Sequence, residues 1–369
     1  MADQSLNDFF AGTRLTQVAQ SAAIKRGVPR TIPGDFFTPS ATKPTSDQVE
    51  YIQYSGNRAG AQLVNRMSPA RAVTQPGATR KYATALNVKE KFPLHIEMIQ
   101  ALKSDIPMIR LNAQQHLARQ MMDFNVRFET TRTNIVTSLF ANRGKWYADS
   151  DGNVLPTSSG AKLTYDAGCT SATQLTTDGA SSTYAIGDWA TASTAIQTKL
   201  TALRKAVLKA TGYNPTTVLY GENVPEYLQK NTTLKEYFSR NQMFRDRIVQ
   251  NNEIPDGTLG YNWKPVNTAF HVGADNSTVT EWFGGDYIGV VPDVSDDWYE
   301  FVEGGNLYPL GISNPGMGME QMLSLCGIAN GKYAFAEMTM DPISVNLING
   351  DSFVPILKVP ALLYSGVCH

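Results

Sequence analysis

Hydrophobic positions keep a helical period most clearly between residues 110 and 143. Leu117, Met121, Phe124, Phe128, Ile135 and Leu139 recur at helical spacing, with Thr131 in the one position that breaks the series. Such spacing puts them on one face of a helix. Arg119, Asp123, Arg127, Arg132 and Asn134 fall on the other face. Pro107 lies just ahead and Gly144 just past the end, where a helix is easily entered and left. The predicted helix is about 50 Å long, well beyond the usual globular helix. A single apolar stripe of that length predicts a spine crossing a flat protein.

Alternation replaces the helical period on either side. Val49, Tyr51 and Tyr54 begin one extended stretch and residues 82–88 form another, with Gly56, Gly60, Pro69, Pro76 and Gly77 between them. This predicts a long hairpin, and a lone two-stranded hairpin needs something to lie on. Past the spine, Asp149-Ser-Asp-Gly152 predicts a tight turn between 145–148 and 153–155. It lacks the further ligands of a calcium loop. Residues 157–187 read as a surface connection with some strand. A second helix is predicted over 189–210, capped by Asp188 and ended by Gly212, with Leu200, Leu203 and Val207 inward and Lys199, Arg204, Lys205 and Lys209 outward. Strands at 216–220, 263–266, 268–272, 279–283 and 287–291, with a short helix at 224–229, predict a mixed sheet covered by helices. Late strands at 333–340 and 343–347, a turn at Asn349-Gly350, and strands at 354–359 and 361–364 close the chain. They are placed to pair beside the spine.

The first 44 residues differ in kind. Weak helical periodicity near the start gives way to Pro29, Pro33, Pro39 and Pro44, which keep a chain extended. The segment still holds Phe9, Phe10, Phe36 and Phe37, which a solvated tail would not carry. It reads as an arm lying along its own body or a neighbour's.

Charge adds one local feature. Over 369 residues, 32 basic side chains meet 33 acidic ones, which argues against a dense basic surface gripping nucleic acid. The hairpin region is the exception. There Arg58, Arg66, Arg71, Arg80, Lys81, Lys89 and Lys91 outnumber acids such as Asp47 and Glu90. No apolar run is long enough for a membrane span, and MADQSLNDFF lacks the pattern of a secretory signal. Cys169, Cys326 and Cys368 have neither disulfide-framework nor zinc spacing. Four histidines (His95, His116, His271, His369) occur without a nucleophile elbow, a zinc-protease motif or a phosphate loop. Gly316-Met-Gly318 lacks a nucleotide-loop context. No catalytic, cofactor-binding or metal residue is expected, and no cofactor.

The order of these elements resembles the tailed-bacteriophage major capsid proteins with the fold called after phage Hong Kong ninety-seven, and within them the lambda-like major head proteins. The resemblance is carried by Val49-Glu-Tyr-Ile52, Met67-Ser-Pro-Ala70, Pro76-Gly77, Phe92-Pro-Leu94, the run LFANRGKWYADSDG over 139–152, and the helix that ends at Gly212 ahead of a strand. These motifs are short and non-catalytic. The resemblance implies an α+β phage capsid fold. Its parts would be an N-terminal arm (1–44), an extended loop (45–93), a peripheral domain with the spine helix (94–212), an axial domain with a mixed sheet (213–310), and return strands of the peripheral domain (311–369). It further implies self-assembly, through hexamers and pentamers of identical subunits, into an icosahedral shell around double-stranded DNA. Scaffolding, portal and decoration proteins would be the other partners, the scaffold as a separate chain, with no membrane involved. The virion capsid is the expected location, after synthesis in the host cytoplasm. A near-neutral protein suits a DNA container, because a basic inner wall would bind at every phosphate. Intersubunit contacts are expected at Phe9, Phe10, Phe36 and Phe37, buried only on assembly, and at Arg58, Arg66, Arg71 and Arg80, facing a neighbour's acids. Some relatives cross-link a loop lysine to an asparagine. Lys81, Lys89 and Lys91 lie in the loop, but nothing marks the asparagine or the acid. The same fold serves cellular nanocompartment shells of the encapsulin kind, the alternative reading, and a soluble mixed-sheet enzyme is a more distant one.

Overall fold

The computed structural model describes residues 15–17, 32–46, 48–55, 77–150, 153–178, 184–240, 248, 252–266, 269–272, 278–281, 283–309, 326–340 and 343–369. Helices and strands both contribute heavily, as an α+β fold requires.

The spine is one α-helix over Pro107–Ala141, 35 residues and about 52 Å long. Leu117, Met121, Phe124, Phe128, Ile135 and Leu139 are all buried along it. Its end is made by Asn142 N–H donating to the Ser138 carbonyl (2.8 Å) and Gly144 N–H to the Leu139 carbonyl (2.7 Å). Arg143 and Gly144 turn left-handed there, at φ 53° and 78°. The expectation for the polar face needs correcting. Arg132 and Asn134 are 5% and 8% exposed, because the helix is covered all round from Arg132 to Phe140.

The spine lies against a sheet built on the long strand Ile343–Leu357. Leu86–Leu94, the strand leading towards the spine, pairs antiparallel with one edge, from Val345 opposite Leu94 to Phe353 opposite Leu86. Tyr333–Met340 and Tyr299–Glu303 pair with the other edge in succession. The chain thus returns beside the spine as its alternation predicts. Asn349-Gly350, read as a turn, is instead strand interior. Gly350 faces the Tyr333 ring, whose Cζ would lie 2.2 Å from an added Cβ. Ring packing, not turn geometry, requires glycine there.

A second, six-stranded sheet runs in the order Asn262–Pro265, Thr217–Tyr220, Tyr287–Val291, Tyr364–Val367, Gln174–Thr176, Tyr184–Ala185. Sheet membership therefore crosses sequence boundaries. Tyr299–Glu303 joins the spine's sheet, and the strand Tyr364–Val367 sits inside this one. Helix Ile196–Thr211 covers the second sheet with Leu200, Leu203 and Val207 and ends at left-handed Gly212. It starts later than predicted. Asp188 caps a turn instead, accepting from Ala190 N–H at 3.0 Å, and Trp189 is wholly buried in that turn. Arg204, expected outward, stacks over the Tyr261 ring at 4.6 Å. Asp149 makes the predicted tight connection, accepting from Asn153 N–H at 2.8 Å, with Lys145–Ala148 paired to Val154–Leu155.

Candidate functional site

The hairpin is the first candidate surface. Gln48–Ser55 pairs antiparallel with Gly77–Thr84, Ile52 opposite Arg80 and Glu50 opposite Tyr82. Strand alternation splits its side chains between two faces. Val49, Tyr51 and Ala83 are buried against Val302, Val354 and Ile356 of the spine's sheet. Gln53 Nε2 donates to the Ala167 carbonyl at 2.8 Å and Tyr54 N–H to the Lys358 carbonyl at 3.2 Å. The opposite face is open: Ile52, Tyr54 and Tyr82 are 42%, 48% and 62% exposed. Arg80 lies on this face and pairs with Glu50 at 2.6 Å, an acid of the same hairpin that offsets part of its basic excess. Lys89 and Lys91 are exposed on the strand that follows.

The start of the spine is the second. Ile96, Ile106, Met108, Ile109 and Leu111 are all exposed, Met108 by 74%. Among the described residues, a narrow stripe of Ala113, Leu117 and Met121 is covered there by Leu15, Leu94, Leu102 and the sheet. Clustered apolar exposure of this kind marks an interaction surface more often than single exposed residues do.

Described residues of the arm are anchored on its own chain. Leu15 is buried, and the Thr16 hydroxyl donates to the Ala334 carbonyl at 3.0 Å. Phe36 is 1% exposed, in edge contact with Phe140 and Tyr299 at 4.9 and 5.3 Å. The Tyr299 hydroxyl donates to its carbonyl at 2.8 Å. The expectation that Phe36 waits for a neighbour to bury it is therefore corrected: this chain's own spine and sheet enclose it. Phe37 is half-buried, 6.0 Å from the Phe301 ring. Past it, Thr42 and Ser40 hydroxyls donate to Glu300, which also pairs with Lys358 at 2.7 Å. Burial pushes the Glu300 carboxyl up, but Lys358 and these hydroxyls outweigh it and hold it below the ordinary 4.5. Phe9, Phe10, Arg58, Arg66, Arg71, Gly316 and Gly318 lie outside the described residues.

A buried charge cluster joins spine to sheet. Arg132 Nε and Nη2 fork onto Asp351 Oδ2 and Oδ1, both at 2.6 Å, and Nη2 also reaches Glu303 at 3.0 Å. Its guanidinium sits 5.4 and 5.3 Å from the Phe301 and Phe353 ring centroids. Burial alone would lower its pKa, but Asp351, Glu303 and Glu129 outweigh that and hold it charged. Sequence reasoning missed this cluster, since its helix partner and acids are far apart in the chain.

His369 Nδ1 meets Asp188 at 3.0 Å on the surface, with the Tyr227 ring 5.8 Å from its own. No group of three or more His, Cys, Asp or Glu suited to a metal occurs among the described residues, and none of their helices is long and apolar enough to cross a membrane.

No family model and no curated protein sequence matches the chain. Solved structures do. A protein described as the capsid protein of an Escherichia coli prophage superposes with a TM-score of 0.54, covering 97% of this chain and 99% of that one at 9% identity. A phage-related protein of Bordetella bronchiseptica gives 0.47 at 9% identity, covering 96% and 95%. The Synechococcus elongatus encapsulin gives 0.42 at 11%, covering 100% and 96%. The weight falls on the first, whose score and two-way coverage establish a phage capsid fold for this chain. At such identity the likeness is one of fold.

Proposed function

We propose that this protein is a shell-forming subunit, the major capsid protein of a tailed phage, whose copies assemble into an icosahedral container for double-stranded DNA. The observation that carries the reading is the hairpin. One face is seated on its own sheet, while the other presents Ile52, Tyr54 and Tyr82 to solvent. A two-stranded ribbon with aromatic groups on its free face is built to be covered by something outside the chain. The capsid fold supplies the reason: a neighbouring copy covers it. In this reading residues 1–44 are the arm, 45–93 the extended loop, 94–212 with 311–369 the peripheral domain, and 213–310 the axial domain. Contacts of this kind repeat head to tail and close on symmetry axes. Balanced charge leaves packaged DNA free of sequence-specific contact, and Phe9, Phe10, Phe37, Arg58, Arg66, Arg71 and Arg80 are assigned to neighbours. Scaffolding, portal and decoration proteins would meet the shell, not the isolated subunit.

Expression of the full chain followed by electron microscopy tests the reading. Closed particles with nuclease-protected DNA from infected or induced cells support it. Closed particles holding protein and no DNA would favour a nanocompartment. A small fixed oligomer at every concentration, with no particles, overturns it.

A further inference from the structure

We infer that Arg132 is a positioning residue that sets the angle between spine and sheet, and with it the curvature at which copies of this protein join. The inference rests on the shell reading and deepens it. Three spine residues within six positions tie the helix to four strands. Arg127 pairs with Glu90 of Leu86–Leu94 at 3.2 Å. Glu129 pairs with Lys332, next to Tyr333–Met340, at 2.7 Å. Arg132 holds Asp351 of Ile343–Leu357 and Glu303 of Tyr299–Glu303. Apolar contacts flank this seam, with Leu117 and Met121 on one side and Ile135 and Leu139 on the other.

Stability alone does not explain the arrangement. Buried ion pairs can often be replaced by apolar groups without loss of stability, because desolvation offsets their attraction. A forked guanidinium differs from an apolar contact in fixing direction: two parallel bonds to one carboxylate define a plane. The seam also leaves two buried polar atoms unsatisfied. Glu90 and Asn349 stand directly opposite each other in the strand register, yet Glu90 Oε2 and Asn349 Nδ2 are buried without a hydrogen-bond partner. An acceptor and a donor side by side and unpaired are groups that a rotated spine can use. The lever is long. Pro107 begins the helix about 38 Å from Arg132, so a rotation of about 5° at Arg132 carries the exposed apolar start of the spine about 3 Å.

Replacing Arg132 alone would strand buried Asp351, so the test removes the charges together: Arg132→Met, Asp351→Leu and Glu303→Gln. The triple variant is expected to unfold thermally within a few degrees of the unaltered protein. Its particles, seen by electron microscopy, should spread over several diameters where the unaltered protein gives one. Arg132→Lys, which keeps charge but loses the fork, should broaden the distribution to a lesser extent. Particles of one unaltered diameter from the triple variant overturn the inference while leaving the shell reading intact. If the unaltered protein forms no particles, the shell reading fails, and hydrogen exchange in unassembled protein still decides the pin. Amides of residues 120–131 should exchange at least tenfold faster in the triple variant, and unchanged exchange overturns it. A triple variant that does not fold also overturns it, since the cluster would then serve stability first.

Discussion

The two halves of the spine helix are made from one continuous 35-residue segment but face different surroundings. From Arg132 to Phe140 every residue is buried, and Phe140 touches arm and sheet at once through Phe36 and Tyr299. From Ile106, the cap, to Asn112 every residue is exposed, the large apolar Ile106, Met108, Ile109 and Leu111 among them. Helix propensity and local pattern do not separate these halves. What separates them is whether the described residues of this chain supply the covering layer. The half from Arg132 onward is covered by this chain's own sheets and arm; the starting half is left open by the described residues. Measurements on stability and on assembly should therefore diverge along one helix.

The largest effect on stability is expected at Phe140→Ala. The ring is wholly buried between Phe36 and Tyr299, and such truncations cost about 3–5 kcal/mol through lost burial and a cavity. Denaturant unfolding of the soluble protein measures it. Leu117→Ala should cost less, about 2–3 kcal/mol, because the stripe around it is narrow and relaxes towards solvent. Equal losses at the two positions would remove the contrast between the halves.

The sequence carried much of this architecture. The stripe from Leu117 to Leu139, the stop at Gly144 and the pairing of late strands beside the spine all follow from local periodicity and turn chemistry, because those signals repeat over several residues. Arg132 did not follow. A single cation on the off-stripe face looks solvated until its partner is known, and Asp351 is 219 residues away. Gly350 misled for a similar reason. Asn-Gly is a strong local turn signal, overridden here by the ring of Tyr333, seventeen positions earlier and opposite it in the sheet register. Phe36 looked like a residue for a neighbour because its enclosing partners, Phe140 and Tyr299, lie in distant parts of the chain. The surfaces proposed for assembly were legible only as composition, as aromatic and basic residues in extended segments, since nothing local says which face of a hairpin stays open.

A smaller effect is expected from acid, and it falls on the finished half. Glu300 ties the arm past Phe36 to Lys358, with its carboxyl below the ordinary 4.5 in the folded chain. The ionised form is thus favoured by folding. Its contribution is whole above pH 4.5 and is lost as pH falls through the lower folded value. Glu300→Gln should therefore narrow the difference in melting temperature between pH 6 and pH 3.5. An unchanged difference would mean that the Glu300 carboxylate adds nothing to holding the arm.

The smallest effect on stability, and the sharpest test of the contrast, is expected at the open end. Met108→Ser with Leu111→Ser alters two side chains that are 74% and 52% exposed. Surface changes of this kind usually stay within about 0.5 kcal/mol, so unfolding midpoints should hardly move. Particle yield should nevertheless fall steeply, because the lost contact is one between molecules. The rim helps to separate causes: Glu97, Lys103, Asp105 and Arg110 surround the patch with both signs of charge, so raising the salt concentration should not restore assembly. A pair of serines that leaves both the midpoint and the particle yield unchanged would show that this end of the spine is plain solvent-facing surface. The hairpin's open face would then be the surface left to bring copies together.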